Sequence, residues 1–457
     1  MKSHAARLPV ALVALVTLAA LACGQSTQSA ASPGTDAAPP DDDAGDAATP
    51  VAVPVTFDQD PLSVDATSRG EHEPNLAVSP TGHVIVSWLS YLRTPGITVG
   101  YRISNDFGET WGPTTMLPTP ADANTQANAS VAADANGNVY LAWAAEQRTA
   151  QGRIHPRVLV ATAAPGQVVL GSAVEVTDPA EPVYVYDQPR IAVTGTGAVN
   201  VSYNKGSVDG SQWFIVDANS TDGGKTWTRA VVAGPGAGGS FRNFTRLCHP
   251  ASGRLYMTYL EEAADHHIAL TTSDDQGQTW SPPVTVSEPA DAANLGIGTG
   301  CVARGDEVWI YYEQLTEPVP ASNTVDPTIT AIRLAHSADR GATFDWRQEA
   351  LDTKAASRAM TPVLMVEDDG ALDLAYYGGA SDSDAAAAFR RARAVDGRNF
   401  EPSIVVHQPV KLETSRAAPQ WIGDWAGGAY AANRVLFAYA DNSTTSPHIA
   451  FHRVTLK

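Results

Sequence analysis

Two arginines occupy equivalent positions in the sequence, and their chemistry suggests a site for an anion. Arg190 lies thirteen residues before Tyr203, and Arg246 lies thirteen residues before Tyr259. Both tyrosines stand in apolar, strand-like segments. Guanidinium groups bind carboxylate and sulfate groups through paired hydrogen bonds. If the two segments are neighbours in the fold, the arginines predict a clamp for the anionic group of a small polar ligand.

Carboxyl groups at comparable positions suggest acid–base chemistry beside that clamp. Asp187 precedes Arg190 by three residues, and two further carboxylates precede other apolar segments. A pair of carboxyl groups at a suitable separation is the usual arrangement for hydrolysis of a glycosidic bond. The candidate catalytic residues are Asp187, Glu73 and Asp424. The alternative is that the same carboxylates pair with Arg190 and Arg246 and only neutralise a polar channel.

Other polar residues accompany these candidates where apolar segments begin. The predicted ligand-binding residues are Arg190, Arg246, Asn75, Asn128, Thr361 and Arg358. The sequence predicts no cofactor and no metal site. The acidic and histidine-rich segment 261–267 is interpreted as solvated loop charge.

These residues must be positioned by a repeated structural unit. Each repeat contains an apolar strand, a turn and a second strand that carries a large aromatic residue. The aromatic positions are Trp88, Trp143, Tyr203, Tyr259, Tyr312, Tyr376 and Tyr439. Six residues before them stand Gly82, Gly137, Gly197, Gly253, Asp306, Gly370 and Asn433. All of these residue types tolerate the left-handed backbone of a tight hairpin turn.

Two further strands follow each hairpin, so the repeat predicts a four-stranded antiparallel sheet. Such units at a spacing of 53 to 64 residues are typical of an all-β protein of the β-propeller class. We expect seven blades, with a strand from segment 53–64 completing the last one. Six blades with one additional hairpin is the alternative.

A turn motif recurs after the third strand of several repeats. Its form is Ser104-x-Asp106-x-Gly108-x-x-Trp111. The full copies begin at Ser220 and Ser273, a looser copy runs from Ser337 to Phe344, and a shortened copy runs from Asp396 to Phe400. This motif resembles the Asp box, or bacterial neuraminidase repeat, of sialidase-like β-propellers. The resemblance covers about residues 55–457.

The resemblance implies a site that binds the carboxylate of an acidic sugar, while the boxes themselves are structural. Members of the family use three arginines, an aspartate acid/base and a tyrosine nucleophile assisted by a glutamate. This resemblance makes Tyr430, which is near Asp424 in the sequence, a candidate nucleophile. Their first arginine lies in a Phe-Arg-Ile-Pro motif, whereas this chain has Glu73-Pro74-Asn75-Leu76 at the matching position. The sequence therefore leaves two functions open: hydrolysis of extracellular glycans, or non-catalytic binding by a scaffold whose boxes serve the fold alone.

The N-terminal residues resemble an export signal of a bacterial lipoprotein. Lys2 and Arg7 precede an apolar segment at 8–22 that leads into Cys23. We expect a signal peptide at 1–22, lipidation of Cys23 and a disordered tether to residue 54, with the propeller at 55–457. These features predict a protein of the bacterial cell envelope, anchored to a membrane by its lipid alone.

Charge limits the partners. The chain of 457 residues has a net charge of −19, which disfavours nucleic acid. An extracellular glycan or another small polar ligand is the expected partner, and we expect a monomer.

Cys248 and Cys301 occupy the same position in neighbouring repeats, eleven residues before the aromatic residue. Side chains at equivalent positions are expected to point the same way, so we predict two unbridged, buried cysteines; a disulfide is the alternative.

Overall fold

The computed structural model describes residues 60–61, 68–92, 96–150, 152–181, 184–234, 242–249, 253–261, 267–288, 295–315, 329–350, 358–379, 387–408, 410, 422–443 and 447–456. The side chains of residues 60, 61, 68, 69, 92, 295–297, 315, 329, 330 and 358 are not described. The predicted signal peptide, Cys23 and tether lie outside these residues. No helix in the described ranges is long and apolar enough to cross a membrane.

The described chain is all-β, and consecutive strands form four-stranded antiparallel units. The first two units are β2 (Ser68–Val78), β3 (Val84–Leu92), β4 (Ile97–Ser104) and β5 (Thr115–Met116), then β6 (Thr125–Ala133), β7 (Val139–Thr149), β8 (Gly152–Ala163) and β9 (Val174–Glu175). The third and fourth units are β10 (Tyr184–Val193), β11 (Val199–Ser207), β12 (Trp213–Ser220) and β13 (Thr228–Ala233), then β14 (Arg242–Cys248), β15 (Leu255–Glu261), β16 (His267–Ser273) and β17 (Val284–Thr285). A single parallel bridge between Ile97 and Thr125 joins the first two units into one eight-stranded sheet.

The later units repeat this order. They are β18 (Leu295–Arg304), β19 (Glu307–Leu315), β20 (Ile329–Ser337) and β21 (Trp346–Glu349), then β22 (Arg358–Val366), β23 (Leu372–Gly379), β24 (Ala388–Ala394) and β25 (Ile404–His407). The last unit consists of β26 (Gly427–Ala431), β27 (Arg434–Asp441) and β28 (His448–Thr455), and its outer strand is β1 (Asp60–Pro61). Asp60 pairs with Phe451, so an N-terminal strand from the predicted segment does complete this sheet.

The aromatic residues that define the repeat are buried on the second strand of each unit, where sheets pack face to face. Strands such as β15 and β23 are buried at every position, including the polar Thr258 and Glu261 of β15 and Asp373 of β23. One apolar cluster combines Leu76 and Trp88 of the first unit with Leu436 and Phe451 of the last. The first and last units therefore pack against each other.

Register breaks occur at the same place in the innermost strands of the first six units. Each strand contains additional residues that its partner does not match, as between His72 and Asn75 of β2 or between Asp187 and Arg190 of β10. The bulges carry non-glycine residues in the left-handed region, at φ 55° for Glu73, 55° for Asn128, 49° for Gln188, 55° for Phe244 and 48° for Thr361. Such strained bulges redirect side chains and are frequent beside functional sites.

The Asp boxes form equivalent turns at the hairpin end of the units. In the first box the Ser104 hydroxyl donates to Asp106 at 2.7 Å, and Asp106 accepts the backbone N–H of Thr110 at 2.8 Å. The next residue of the box, Phe107, donates its N–H to the carbonyl of Gly82 in the neighbouring hairpin. The boxes beginning at Ser220, Ser273 and Ser337 repeat the two hydrogen bonds to the aspartate, from the serine hydroxyl and from a threonine N–H. Their role is to close the turn that precedes the outer strand.

The predicted left-handed turn residues are confirmed in every hairpin except one. In the fifth unit Gly305 has φ 59°, and Asp306 does not have a positive φ. Arg304 pairs directly with Glu307, which leaves a two-residue loop. Because glycine adopts the first left-handed position of such a loop without steric cost, it takes the place predicted for Asp306.

The prediction of unbridged cysteines is wrong. Cys248 and Cys301 form a disulfide across neighbouring units, with 5.8 Å between their Cα atoms. Their strands, β14 and β18, belong to different sheets. Because the two strands belong to different sheets, equivalent positions in the repeat do not require the two side chains to point the same way.

Candidate functional site

The innermost strands of all the units meet around one polar cavity of about 250 Å³. Its lining includes one residue from each bulge or strand start: Asn75, Ser130, Arg190, Arg246, Thr299, Thr361 and Asp424. Five of them lie thirteen residues before the aromatic residue of their repeat, the position at which the sequence predicted the arginine pair. The register breaks therefore direct equivalent positions of different units to a common centre.

Arg190 and Arg246 converge on Trp425. Their guanidinium carbons lie 4.2 and 4.6 Å from the centre of the indole ring, within the range of cation–π interaction. Trp425 directly precedes the last unit, where Gly423 and Gly427 permit close contact with β2. A Cβ atom on Gly423 would lie 2.7 Å from the backbone nitrogen of Glu73, which shows how closely the last unit approaches the first.

Arg190 is buried but has few polar contacts. Its side chain is 3% exposed, and its Nη1 donates only to the carbonyl of Pro189 at 3.5 Å. Its Nε and Nη2 have no hydrogen-bond partner among the described residues, nor has Nε1 of Trp425. Unpaired buried donors cost about 1–3 kcal/mol each, so a ligand that accepts their hydrogen bonds would be favoured.

Nearby carboxyl groups raise the pKa of Arg190, although none forms a salt bridge with it in the described part of the chain. Burial lowers the pKa of Arg190, as does the adjacent Arg246, whereas Glu73, Asp187 and Asp424 act in the opposite direction. Burial also raises the pKa of Asp187, which weakens its negative charge. Arg190 therefore lies among carboxyl groups that act on it at a distance, without a direct ion pair to any of them in the described residues.

Asp187 is held by its own bulge and by the second unit. It accepts a hydrogen bond from the side-chain amide of Asn128 and one from the backbone N–H of Gln188 at 2.9 Å. A carboxyl group whose pKa is raised by burial has the property required of a general acid.

Glu313 and Tyr311 were not predicted as site residues, yet both approach the cavity from β19, the second strand of the fifth unit. Glu313 is buried and accepts the backbone N–H groups of Gly298 at 2.8 Å and Thr361 at 2.6 Å. Burial raises its pKa to about 7. Burial raises the pKa of Tyr311 as well, whereas the positive charge of the nearby Arg246 lowers it. The sequence did contain one indication of their importance. Tyr311 and Glu313 flank Tyr312, and no other repeat has a carboxylate beside its aromatic residue.

The structure brings together most of the predicted site residues. Asn75, Thr361 and Asp424 line the cavity with the two arginines, while Glu73, Asn128 and Asp187 line an adjoining cavity that also contains Asp424. The side chain of Arg358 lies outside the described residues. No group of three or more His, Cys, Asp or Glu side chains in the described ranges is arranged to hold a metal ion.

Tyr430 is not brought to the site. Its hydroxyl lies 3.2 Å from both Asp368 and Asn433, which are in hairpin turns at the opposite end of the inner strands. Proximity to Asp424 in sequence does not translate into proximity in space, because β26 carries Tyr430 away from the cavity.

Comparison with known proteins supports the repeat and the fold. Residues 271–282 match the BNR/Asp-box repeat family. A Hadza microbial sialidase is similar in structure, with a TM-score of 0.50, 15% identity, and coverage of 85% of this chain and 66% of the sialidase chain. A protein of unknown function from Dyadobacter fermentans is similar with a TM-score of 0.52 and 15% identity. That match covers 88% of this chain and 99% of the Dyadobacter chain.

A sialidase of Trypanosoma rangeli, solved as a covalent intermediate with 2,3-difluorosialic acid, gives a TM-score of 0.50 and 12% identity. The match covers 84% of this chain and 54% of that one. The chain thus spans between about half and two thirds of the length of these sialidases. No curated protein matches the sequence significantly. The chain carries a BNR/Asp-box repeat on a sialidase-like fold.

Proposed function

We propose that this protein binds the carboxylate of an acidic sugar in the central cavity, through Arg190 and Arg246. The observation that carries the proposal is the buried guanidinium of Arg190, whose Nε and Nη2 lack partners among the described residues beside a second arginine and Trp425. Two adjacent guanidinium groups repel each other, and an anion between them relieves that repulsion. The sialidase-like fold supports the same ligand class by analogy alone.

The central position of the site rests on how the units are arranged. We infer that seven four-stranded blades form a closed ring around this cavity. The packing of the first unit on the last supports closure, as does the contribution of every unit to a cavity of only about 250 Å³.

Hydrolysis of a glycosidic bond at this site is the second candidate function. Asp187 favours it, because burial raises the pKa of this carboxyl and lets it hold a proton for the leaving group. Glu73 and Asp424 are then the candidate nucleophile or base. If the protein is an enzyme, Asp187→Asn abolishes turnover of a fluorogenic sialoside while binding persists.

The cellular setting completes the proposal. We infer export through the signal at residues 1–22 and attachment to the cell envelope through Cys23. The Cys248–Cys301 disulfide supports an oxidising location, since such bonds persist mainly outside the cytosol. Extracellular glycans would then be accessible to the cavity, and no nucleic acid or second subunit is required.

The first experiment is calorimetric titration of the full chain with sialic acid and with its methyl ester. We expect the acid alone to bind, and we expect Arg190→Ala to weaken it by about 10- to 100-fold, the effect of losing a hydrogen-bonded charge. Arg398→Ala is the matched control, because Arg398 also stacks on a tryptophan, 5.1 Å above Trp346, but away from the cavity. Equal binding of acid and ester, or an unaffected Arg190→Ala variant, would refute the clamp.

A further inference from the structure

The Cys248–Cys301 disulfide belongs to the wall of the central cavity. Cys301 is 9% exposed and lines the cavity beside Thr299 of the same strand, β18. On β14, Leu247 lines the cavity as well, directly before Cys248. The bond therefore joins the parts of the wall that the fourth and fifth units contribute, where a small molecule that enters the cavity can reach it.

The two cysteines follow residues of the ligand site at the same distance along their strands. Arg246 and Cys248 are two residues apart on β14, as are Thr299 and Cys301 on β18. Side chains two residues apart in a strand lie on the same face, so each cysteine shares a face with a polar residue of the cavity. The bond, with 5.8 Å between its Cα atoms, thereby fixes the separation of the strand segments that carry Arg246 and Thr299.

The strand pairing that holds Arg246 in its own unit is short. Beyond the register break, β14 pairs with β15 at Arg246, Leu247 and Cys248, and the strand ends at Cys248. The Nη1 of Arg246 donates to the carbonyl of Thr245 at 3.1 Å, a hydrogen bond within the same strand that ties the arginine to no other element. Because short strand ends open easily, a covalent link at Cys248 restrains the position of Arg246.

We propose that this disulfide is a redox-sensitive positioning element of the ligand site: it holds Arg246 for the anion, and a thiol that enters the cavity weakens ligand binding by opening it. One external thiolate attacks the Cys301 sulfur, forms a mixed disulfide and releases the Cys248 thiolate, which takes up a proton. A second external thiolate attacks the outer sulfur of the mixed disulfide and releases Cys301, so that two protein thiols and one external disulfide result. The inference rests on the proposed function and adds its regulation.

The test measures the Kd of sialic acid by calorimetry for the oxidised full chain and for the chain reduced with dithiothreitol. Every sample carries Cys23→Ser, which leaves Cys248 and Cys301 as the only cysteines. We expect reduction to raise the Kd about tenfold, as expected for losing a hydrogen-bonded charge, and re-oxidation to restore it. By linkage, saturating sialic acid should disfavour reduction by the same factor in a buffer of reduced and oxidised dithiothreitol.

Two variants locate the effect. Cys248→Ser combined with Cys301→Ser should bind as weakly as the reduced chain and should not respond to dithiothreitol. Arg246→Ala should bind weakly in both redox states, with a difference of less than about twofold between them, because two changes that act through one residue are not additive.

The outcomes separate the two proposals. A Kd that is unchanged by reduction would overturn this inference and leave the carboxylate clamp standing. The inference would also be overturned by an equal loss of affinity on reduction of Arg246→Ala, or by a loss that re-oxidation does not reverse, since the bond would then serve the fold as a whole. Absence of binding by the oxidised chain would overturn the proposed function and this inference with it.

Discussion

Substitution of Glu313 by glutamine tests whether a single buried carboxyl group holds two bulges at the rim of the cavity. Its Oε2 accepts the N–H of Gly298 in the fifth unit, and its Oε1 accepts that of Thr361 in the sixth. A Cβ atom on Gly298 would lie 2.5 Å from the Glu313 carboxyl carbon, so the bulge is built closely around this group. The carboxyl thus connects neighbouring units beside Thr299 and Thr361.

The effect on stability follows from the pKa of Glu313. Burial raises this pKa from 4.5 to about 7, so the native state holds a proton that the unfolded chain has already lost. The resulting stabilisation is fully present below about pH 4.5 and is lost as the pH rises through about 7. A shift of this size corresponds to about 3 kcal/mol over that interval.

The assay is urea denaturation of the wild type and of Glu313→Gln at a series of pH values, followed by tryptophan fluorescence. The difference in unfolding free energy, wild type minus variant, should fall by about 3 kcal/mol between about pH 4 and pH 8. Burial also raises the pKa of Asp217 to about 8 and that of Asp373 to about 6, but both residues are present in both proteins and cancel in the difference. A difference that is independent of pH, or that rises with pH, would refute the reasoning.

Two further predictions concern stability. Cys248→Ala combined with Cys301→Ala opens a loop of 53 residues, so the unfolding free energy should fall by about 4 kcal/mol in the chain-entropy treatment. An unchanged denaturation midpoint under non-reducing conditions would contradict a stabilising role of the disulfide. Asp275→Ala removes the acceptor for Ser273 and Thr279 in the third full Asp box, so the unfolding free energy should fall by about 1–2 kcal/mol. The Kd for sialic acid should not change, because the box lies at the hairpin end of its unit. A large loss of affinity in a folded variant would show that the boxes contribute to the site.

Local features of the architecture could be predicted from sequence because they depend on near neighbours along the chain. Alternating apolar residues specify strands, and glycine or asparagine before the aromatic residue specifies a hairpin turn. The Asp boxes are equally local, since the serine, the aspartate and the amides they bind lie within one turn. The equivalence of Arg190 and Arg246 could also be predicted from sequence. Both lie thirteen residues before the aromatic residue of their repeat, and equal spacing within a repeat places residues at equivalent positions in successive units.

The composition of the site depended on how the sheets pack against one another. The bulges that turn Gln188 and Arg190 toward different cavities appear only in the pairing of strands. Trp425 meets both arginines at the cavity, although these residues are more than 170 positions apart in sequence.

The same distinction explains the predictions that differed from the structure. Tyr430 is near Asp424 in sequence, yet a strand rises about 3.3 Å per residue and carries it to the other end of the sheet. Cys248 and Cys301 share a sequence position but lie on separate sheets, whose relative orientation allows the bridge. Sequence by itself determined the strands, turns and repeats of this protein, since these follow from short-range sterics and periodicity. The tertiary structure alone decided which side chains share a cavity and how burial alters their pKa values, because both depend on long-range packing.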